Sequence, residues 1–173
     1  MELNTLSLAD LQDYRLIRLE SLKTTPFAFS DSYKDIESKP MDFFASEIAP
    51  PLPAKEVFVL GAWNENKELL GFLRFYRDQR MNARHKAFIH NMYVSPQARK
   101  RSVGTCLMEY IFQYAKKMGG LEQIHLWVLI HNGNSAIGFY EKLGFQLQGP
   151  YIKKDLIIQG ETIDAAYMVK ELI

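Results

Sequence analysis

The pattern of apolar residues along the chain predicts an α/β (α+β) domain, in which a mixed sheet has parallel strands at its centre and helices on both faces. Three observations lead to this fold class. Two strand-like segments, residues 57–63 and 69–78, are separated by a short polar turn, which is typical of a hairpin. Strand-like and helix-like segments then alternate over residues 87–144, and two further strand-like segments close the chain. The alternation favours parallel neighbours, whereas hairpins are antiparallel.

The first segments predict a strand followed by a helix. Residues 2–7 alternate briefly between polar and apolar side chains, and Ser7 and Asp10 have the spacing of a capping box at the start of the helical pattern. Pro26 ends that helix and begins a loop. Three aromatic residues of the loop and of the helix that follows either plug the end of the core or wall a substrate pocket: Phe27, Phe29 and Tyr33.

The rest of the chain predicts the central strands and a closing hairpin. The basic and polar residues 79–86 are expected to be a solvated connection into a strand at residues 87–94. After a basic turn, a helix is expected from near Ser102 to Met118, where two glycines end it, and a strand and a second helix follow. Residues 145–155 and 161–171 predict two strands joined as a hairpin.

Composition limits the classes of function. The 173 residues are 47% hydrophobic and 24% charged with a net charge of +1, so we expect one globular domain, residues 1–173. The small net charge argues against a nucleic-acid-binding protein. No apolar run is long enough to span a membrane, and the N-terminus lacks the basic-then-apolar order of a signal peptide. Both observations favour a cytoplasmic location with no membrane partner. Cys106 is expected to be a small buried side chain in a reducing compartment. The sequence leaves open whether the protein forms a homodimer.

A basic turn between a strand and a helix predicts an anion site. The first amides of the helix have no intrahelical partner, Gly104 allows the backbone to approach a ligand, and Ser102 and Thr105 add hydroxyl groups. Residues 99–101 are all basic and supply charge for a di- or triphosphate-like group. The turn lacks the G-K-S/T of a nucleotide P-loop and the G-x-G-x-x-G of a dinucleotide fold, so neither ATP nor NAD is the expected ligand.

Two motifs resemble those of the GNAT superfamily of N-acetyltransferases. The segment Arg99-Lys100-Arg101-Ser102-Val103-Gly104 is similar to the family's Q/R-x-x-G-x-G/A signature, and the preceding MYVSP is similar to its strand ending. The second signature, A-I-x-x-Y-E-K-L-G-F, is intact at residues 136–145. The resemblance implies a GNAT-like, mostly antiparallel twisted sheet of about seven strands, whose parallel central strands splay apart around acetyl-coenzyme A (acetyl-CoA).

The sequence departs from these motifs at two positions. Ser102 stands where the family usually has its first glycine, so either the backbone there avoids a positive φ or the hydroxyl makes a contact of its own. Gly133 stands where the family has an asparagine three residues before Ala136. Either neighbour, Asn132 or Asn134, could take over that contact to the cofactor arm.

The resemblance also implies a set of residues for acetyl-CoA and for catalysis. The pyrophosphate would bind the basic turn, the pantetheine arm would pair with the strand before it, and Tyr140 would donate a hydrogen bond to the leaving thiolate. The alternative is that Tyr140 only packs in the core, which its spacing from Ala136 and Leu143 on an amphipathic helix permits. The implied cofactor-binding residues are Met92, Tyr93, Val94, Arg99, Lys100, Arg101, Ser102, Val103, Gly104, Thr105, Asn132, Asn134 and Tyr140.

Transfer to an amine also needs a base, because an alkylamine is mostly protonated at neutral pH. His90 is the expected base, since it lies on the strand that leads into the thioester-binding residues and histidine titrates near neutrality. Glu56 and Glu20 are the alternatives. His125 and His131 lack the spaced partners of a zinc site, so no metal is expected.

The acceptor is expected to be a modest primary amine, such as an amino acid, a small polyamine or a peptide N-terminus. The family resemblance implies a pocket lined by Phe27, Phe29, Tyr33 and Tyr151, without the carboxylate cluster that a strongly cationic substrate would need. The predicted function is direct attack of this amine on acetyl-CoA in a ternary complex. The alternative is a non-catalytic acyl-CoA sensor or interaction module, against which Tyr140 argues.

Overall fold

The computed structural model describes residues 1–133 and 136–172. Within these residues the sheet has eight strands, one more than expected: β1 (Glu2–Thr5), β2 (Val57–Trp63), β3 (Leu69–Arg77), β4 (Lys86–Val94), β5 (Gln123–Ile130), β6 (Gln146–Leu147), β7 (Ile152–Ile158) and β8 (Glu161–Glu171). The helices are α1 (Leu11–Thr24), α2 (Tyr33–Glu37), α3 (Met41–Ile48), α4 (Val103–Lys117) and α5 (Ile137–Lys142). In this part of the chain no helix is long and apolar enough to cross a membrane.

The sheet is mixed and mostly antiparallel, as predicted. Its strand order is β1-β2-β3-β4-β5-β8-β6, with β7 also paired to β8, and the parallel pair is β4 with β5 at its centre. That pair is matched at only three positions, Lys86 with Gln123, Ala87 with Ile124 and Phe88 with His125. Beyond Phe88 the two strands separate, and this separation opens the space that becomes the candidate site.

Helices cover both faces of the sheet, which confirms the predicted layers. On one face α4 buries Leu107, Ile111 and Ala115, which recur every four residues and form one apolar stripe. On the other face α1 and α3 bury a second apolar cluster, which includes Tyr14 and Phe44. The sheet is therefore held between two cores, and its central strands are fixed from both sides.

The start of the chain follows the predicted capping box. The Ser7 amide donates to Asp10 Oδ2 at 2.8 Å, and the Ala9 amide donates to Ser7 Oγ at 3.3 Å. A single 3₁₀ turn at Leu8–Asp10 leads into α1, which ends at Thr24, two residues before Pro26. The 3₁₀ turn at Pro26–Ala28 then carries the loop aromatics toward the central strands.

One predicted strand is divided in the structure. Residues 145–155 were expected to form a single strand, but β6 covers only Gln146–Leu147 and β7 begins at Ile152. Gly149 between them has a φ of +88°, which is a left-handed conformation, and Pro150 has no amide hydrogen to donate to a ladder. The chain therefore leaves the edge of β8 between β6 and β7 and returns to it later.

Candidate active site

A β-bulge lies in β4 at the point where it leaves β5. His90 pairs with Arg74 of β3 and Tyr93 pairs with Phe72, so two residues of β4, Asn91 and Met92, lie opposite one residue of β3. Asn91 has a φ of +51°. A bulge leaves backbone groups unpaired and bends the strand. These backbone groups are available to a ligand in the gap between the strands.

The gap between β4 and β5 is a cleft of about 710 Å³, a volume in the range of small-ligand sites. Its walls come from both strands, from the turn after α1 and from α5. Six residues predicted for catalysis or binding line it: Phe27, Phe29, His90, Met92, Arg99 and Tyr140. Other lining residues were not assigned to a site from the sequence, among them Asn91, Trp127, His131 and Asp155.

The basic turn before α4 has the backbone geometry of an anion site. Lys100 and Ser102 both have a φ of +59°, so left-handed residues alternate with others along the turn. The first hydrogen bond of α4 joins the Cys106 amide to the Ser102 carbonyl at 2.9 Å, so the amides of residues 103–105 have no acceptor within the helix. Residues 99–102 are exposed around these donors. This donor set fits a pyrophosphate.

Two small residues at the junction of this turn and α4 are defined further by the structure. Ser102 does adopt a positive φ, and its side chain makes no capping hydrogen bond to α4, so the idea that its backbone avoids this conformation was wrong. Gly104 was expected to let a ligand approach. In the structure a Cβ at Gly104 would lie 3.0 Å from Met92 Cε and 3.4 Å from Phe139 Cζ, so the missing side chain lets α4 pack closely on β4 and α5.

Tyr140 is placed to donate a hydrogen bond into the cleft. Its side chain is 9% exposed, and Oη donates to Met92 Sδ at 3.5 Å, a weak bond that a better acceptor can replace. The rings of Phe139 and Phe145 pack edge-on against it with centroids 5.1 and 5.6 Å away. Burial raises the pKa of the phenol, so Tyr140 is neutral and carries its proton at physiological pH.

His90 opens into the same cleft from β4. Its ring stacks on Phe88 with centroids 5.9 Å apart and lies across the strand pair from Arg74. Although part of the imidazole is exposed in the cleft, the protein around it lowers its pKa by desolvation, and the Arg74 charge lowers the pKa further. His90 is therefore neutral near pH 7 and able to accept a proton.

The two alternative bases are held in other networks and do not line the cleft. Glu20 Oε1 accepts hydrogen bonds from Tyr93 Oη at 2.8 Å and Ser95 Oγ at 2.6 Å, which join α1 to β4. Burial raises the pKa of Tyr93 to about 12, the hydrogen bond to Glu20 adds to the rise, and the Tyr93 side chain belongs to the α1 face. Glu56 pairs with Arg84 and, at 3.6 Å, with Arg77.

Several predicted residues lie beside the cleft rather than in its walls. Tyr33 lines a separate groove with Glu20 and Glu37, and Tyr151 is 40% exposed under the ammonium of Lys153. Their assignment to the acceptor stays a prediction. Asn132 Nδ2 lies 3.0 Å from His131 Nε2, and Asn134 lies outside the described residues.

His131 is a cleft residue that sequence reasoning did not recognise. Its ring stacks on Phe27 with centroids 3.7 Å apart and planes inclined by 18°, and Nε2 lies 2.7 Å from Glu161 Oε2. The stack of the Phe27 and His131 rings joins the turn after α1 to the end of β5 across the cleft. No local pattern could have signalled it, because the two rings are far apart in sequence. Trp127 did carry a signal, as a large apolar residue on the outward side of an alternating strand.

Comparison with known proteins is consistent with this geometry. The model of the acetyltransferase (GNAT) family matches residues 17–145. A probable N-acetyltransferase of Drosophila melanogaster, san, is 29% identical over 172 residues, covering 99% of this chain and 84% of that protein. An uncharacterised N-acetyltransferase of Methanocaldococcus jannaschii is 43% identical over 63 residues; the match covers 36% of this chain and only 27% of that protein.

Among solved structures, the phosphinothricin acetyltransferase of Sinorhizobium meliloti in complex with AcCoA superposes on this chain with a TM-score of 0.75. The two sequences are 23% identical, and the match covers 99% of this chain and 88% of that one. At this identity the likeness establishes a shared fold.

Proposed function

The chain belongs to the GNAT family of acetyltransferases and is an acyltransferase, and from that premise we propose that it moves the acetyl group of acetyl-CoA to the primary amine of a small molecule or a peptide N-terminus. The observation that carries the proposal is the junction of two features. The cleft between the splayed strands β4 and β5 meets the amide-rich start of α4 at Met92 and Gly104. A ligand with a pyrophosphate and a long arm can occupy both.

The residues divide acetyl-CoA between them as follows. The amides of residues 103–105 and the cations of residues 99–101 bind the pyrophosphate. The bulged backbone at Met92, with Tyr93 and Val94, pairs with the pantetheine arm, and an amide there polarises the thioester carbonyl. The complex of the Sinorhizobium meliloti enzyme with AcCoA supports this choice of acetyl donor.

The transfer proceeds by direct attack. The nitrogen of a neutral amine attacks the thioester carbonyl, a C–N bond forms, and the C–S bond breaks as coenzyme A leaves as thiolate. A base first removes a proton from the ammonium form of the amine, Tyr140 donates a hydrogen bond to the leaving sulfur, and the second proton that the nitrogen loses ends on the thiolate. Phe27, Phe29 and Trp127 give the acceptor side of the cleft an aromatic lining. Such a lining suits a modest amine better than a polycation.

Release of free thiol from acetyl-CoA tests this function. The acceptor panel contains L-leucinamide, putrescine and a tetrapeptide with a free amino terminus, each incubated with acetyl-CoA and the protein. We expect thiol release that depends on at least one acceptor, with the acetylated amine found by mass spectrometry. Tight acetyl-CoA binding without turnover on any acceptor would instead support the acyl-CoA sensor.

Cys106→Ala tests direct attack. Cys106 lies in the first turn of α4, a poor position for an acyl carrier, so the variant should keep the wild-type rate. Loss of turnover in a variant that unfolds at the wild-type temperature would require a covalent intermediate on the thiol.

A further inference from the structure

A chain of four hydrogen-bonded side chains crosses the sheet beside the cleft. Gln123, His125 and Trp127 share the face of β5 that points away from α4, because side chains alternate along a strand. On the neighbouring strand β8, Glu171 pairs with Gln123 and Tyr167 pairs with Trp127. The side chains of Glu171, Gln123, His125 and Tyr167 are linked in that order.

The donor and the acceptor of each hydrogen bond among these four side chains can be assigned by starting from Glu171. A carboxylate only accepts, so Gln123 Nε2 donates to Glu171 Oε1 at 2.8 Å and Gln123 Oε1 faces His125. His125 Nε2 must then carry the hydrogen that it donates to Gln123 Oε1 at 3.0 Å. In the neutral ring Nδ1 is left as an acceptor, and Tyr167 Oη donates to it at 2.5 Å.

Ring contacts connect these four hydrogen-bonded side chains to the acceptor side of the cleft. Trp127 lines the cleft and packs on Tyr167 with centroids 4.6 Å apart. His90 lines the cleft as well and stacks on Phe88, which in turn contacts His125 at 5.3 Å. Tyr167 and His125 therefore lie one ring contact behind the cleft-lining side chains Trp127 and His90.

We propose that Tyr167 and His125 are the proton relay that deprotonates the acceptor amine. The inference rests on the proposed acetyl transfer and adds the base to it. One water carries a proton from the amine nitrogen to Tyr167 Oη, while the phenol's own proton passes to His125 Nδ1. The amine then attacks as the neutral species, and the imidazolium keeps its Nε2 hydrogen bond to Gln123.

The surroundings of His125 keep its resting ring neutral. Burial lowers its pKa, as do Lys86 and His85 from the β4 side, while Glu171 on β8 raises it. The resting imidazole is thus neutral and its Nδ1 is unprotonated. Glu171 stabilises the imidazolium once the proton has arrived.

Tyr167→Phe removes the hydroxyl and keeps the ring that packs on Trp127. With whichever of L-leucinamide, putrescine or the tetrapeptide wild type acetylates, we expect kcat/KM to fall about 100-fold at pH 7, with the KM for acetyl-CoA unchanged. Tyr114→Phe is the matched control, because it removes a phenol that donates to the Lys55 carbonyl at 2.6 Å, away from the cleft. The control should keep the wild-type rate.

Two further variants separate a relay from a merely structural contact. His125→Asn places an amide oxygen where Nδ1 was, so it can still accept from Tyr167 but cannot be protonated; we expect it to be as slow as Tyr167→Phe. Glu171→Gln removes the charge that raises the His125 pKa, so the acid limb of the pH profile of kcat/KM should move to lower pH. If the contact were only structural, His125→Asn would preserve it and keep the rate, and Glu171→Gln would leave the limb in place.

The outcomes separate the relay from the function on which it rests. If wild type acetylates an amine but Tyr167→Phe or His125→Asn matches its rate, the relay is wrong and the proposed function stands. If wild type acetylates none of the three amines, the proposed function fails and the relay fails with it. Nitrogen NMR gives a readout without turnover, and a hydrogen on Nδ1 of neutral His125 would overturn the relay in either case.

Discussion

Ser102 holds a left-handed backbone conformation just ahead of α4, at a φ of +59°. The left-handed conformation costs a residue with a Cβ about 1–2 kcal/mol more than it costs glycine. Glycine, however, loses more backbone conformational entropy on folding, which costs roughly 0.5–1 kcal/mol. We predict that Ser102→Gly raises the free energy of unfolding slightly, by less than about 1 kcal/mol, and preserves or improves acetyl-CoA affinity. Urea denaturation and calorimetric titration measure the two quantities.

Val103→Gly is the control for Ser102→Gly, because Val103 is helical and buried, so the same replacement there should only destabilise. Weaker acetyl-CoA binding by Ser102→Gly would mean that the hydroxyl itself contacts the ligand.

Tyr140 is the residue whose proposed catalytic role can be tested most directly. Tyr140→Phe keeps the ring between Phe139 and Phe145 and removes the hydroxyl that donates to Met92 Sδ. Because the hydroxyl matters most when charge develops on sulfur, we expect kcat to fall about 10- to 100-fold, with acetyl-CoA affinity nearly unchanged. Rapid-mixing thiol release and calorimetric titration separate the two effects, and an unaltered kcat would remove Tyr140 from the mechanism.

The residues of the site differ in how well the sequence alone predicts them. Tyr140 and the basic turn lie in contiguous motifs, so their neighbours along the chain identify them. His131 and Tyr167 are instead defined by contacts with other strands and turns, with Phe27 for His131 and with His125 for Tyr167. Such pairings depend on register, which a single sequence does not display.

At the scale of elements, two helical glycines have opposite surroundings. A Cβ at Gly138 in α5 would meet nothing within 4 Å, whereas one at Gly104 in α4 would press on Met92 and Phe139. Gly138→Ala should therefore raise the free energy of unfolding by about 0.5–1 kcal/mol through helix propensity alone. Gly104→Ala should lower it, because Met92 must shift.

The same pair of alanine variants also reports on the site. A shift of Met92 alters the bulged strand that the pantetheine arm is proposed to use, so Gly104→Ala should weaken acetyl-CoA binding while Gly138→Ala leaves it unchanged. Thermal unfolding and calorimetric titration on both variants give the comparison. Equal stabilisation by both would show that α4 has room at Gly104.

Elements with strong local signals were predictable, and those that depend on pairing were less so. Ser7 with Asp10 and Pro26 mark the limits of α1 through local hydrogen bonding and sterics. The division between β6 and β7 follows from the left-handed Gly149, which looks the same in sequence as a glycine in an ordinary turn. The β4 bulge at Asn91 contains no glycine that would predict it from the sequence, and it is seen only in the pairing of β4 with β3.

At the scale of the whole molecule, two regions contain ionisable groups whose pKa values folding lowers in different pH ranges. Around the end of β3, the guanidinium of Arg80 bonds to Asp78 and holds the pKa of that carboxyl at about 2. The cleft side instead contains His90 and His125, whose pKa values are lowered mainly by desolvation. The two regions lose their contributions to stability in different pH ranges, because their groups titrate in different ranges.

The last prediction concerns the pH dependence of folding stability. When folding lowers the pKa of a histidine below its ordinary value of 6.5, the unfolded chain binds more protons just below pH 6.5. The stabilisation is then complete above pH 6.5 and is lost as pH falls through the folded pKa. Asp78 adds a second loss between about pH 4 and 2, since its pKa falls from 3.8 to about 2.

Urea denaturation between about pH 5 and 8 measures the histidine part, away from Asp78. Wild type should lose stability steadily as pH falls from about 6.5 toward 5. The variant His90→Gln with His125→Asn has a lower stability at about pH 8 but should show a shallower slope over this range, because neither replacement binds a proton. Slopes that agree between the two proteins would mean that both histidines titrate in the fold as they do in the unfolded chain, so that neither is held neutral for accepting a proton.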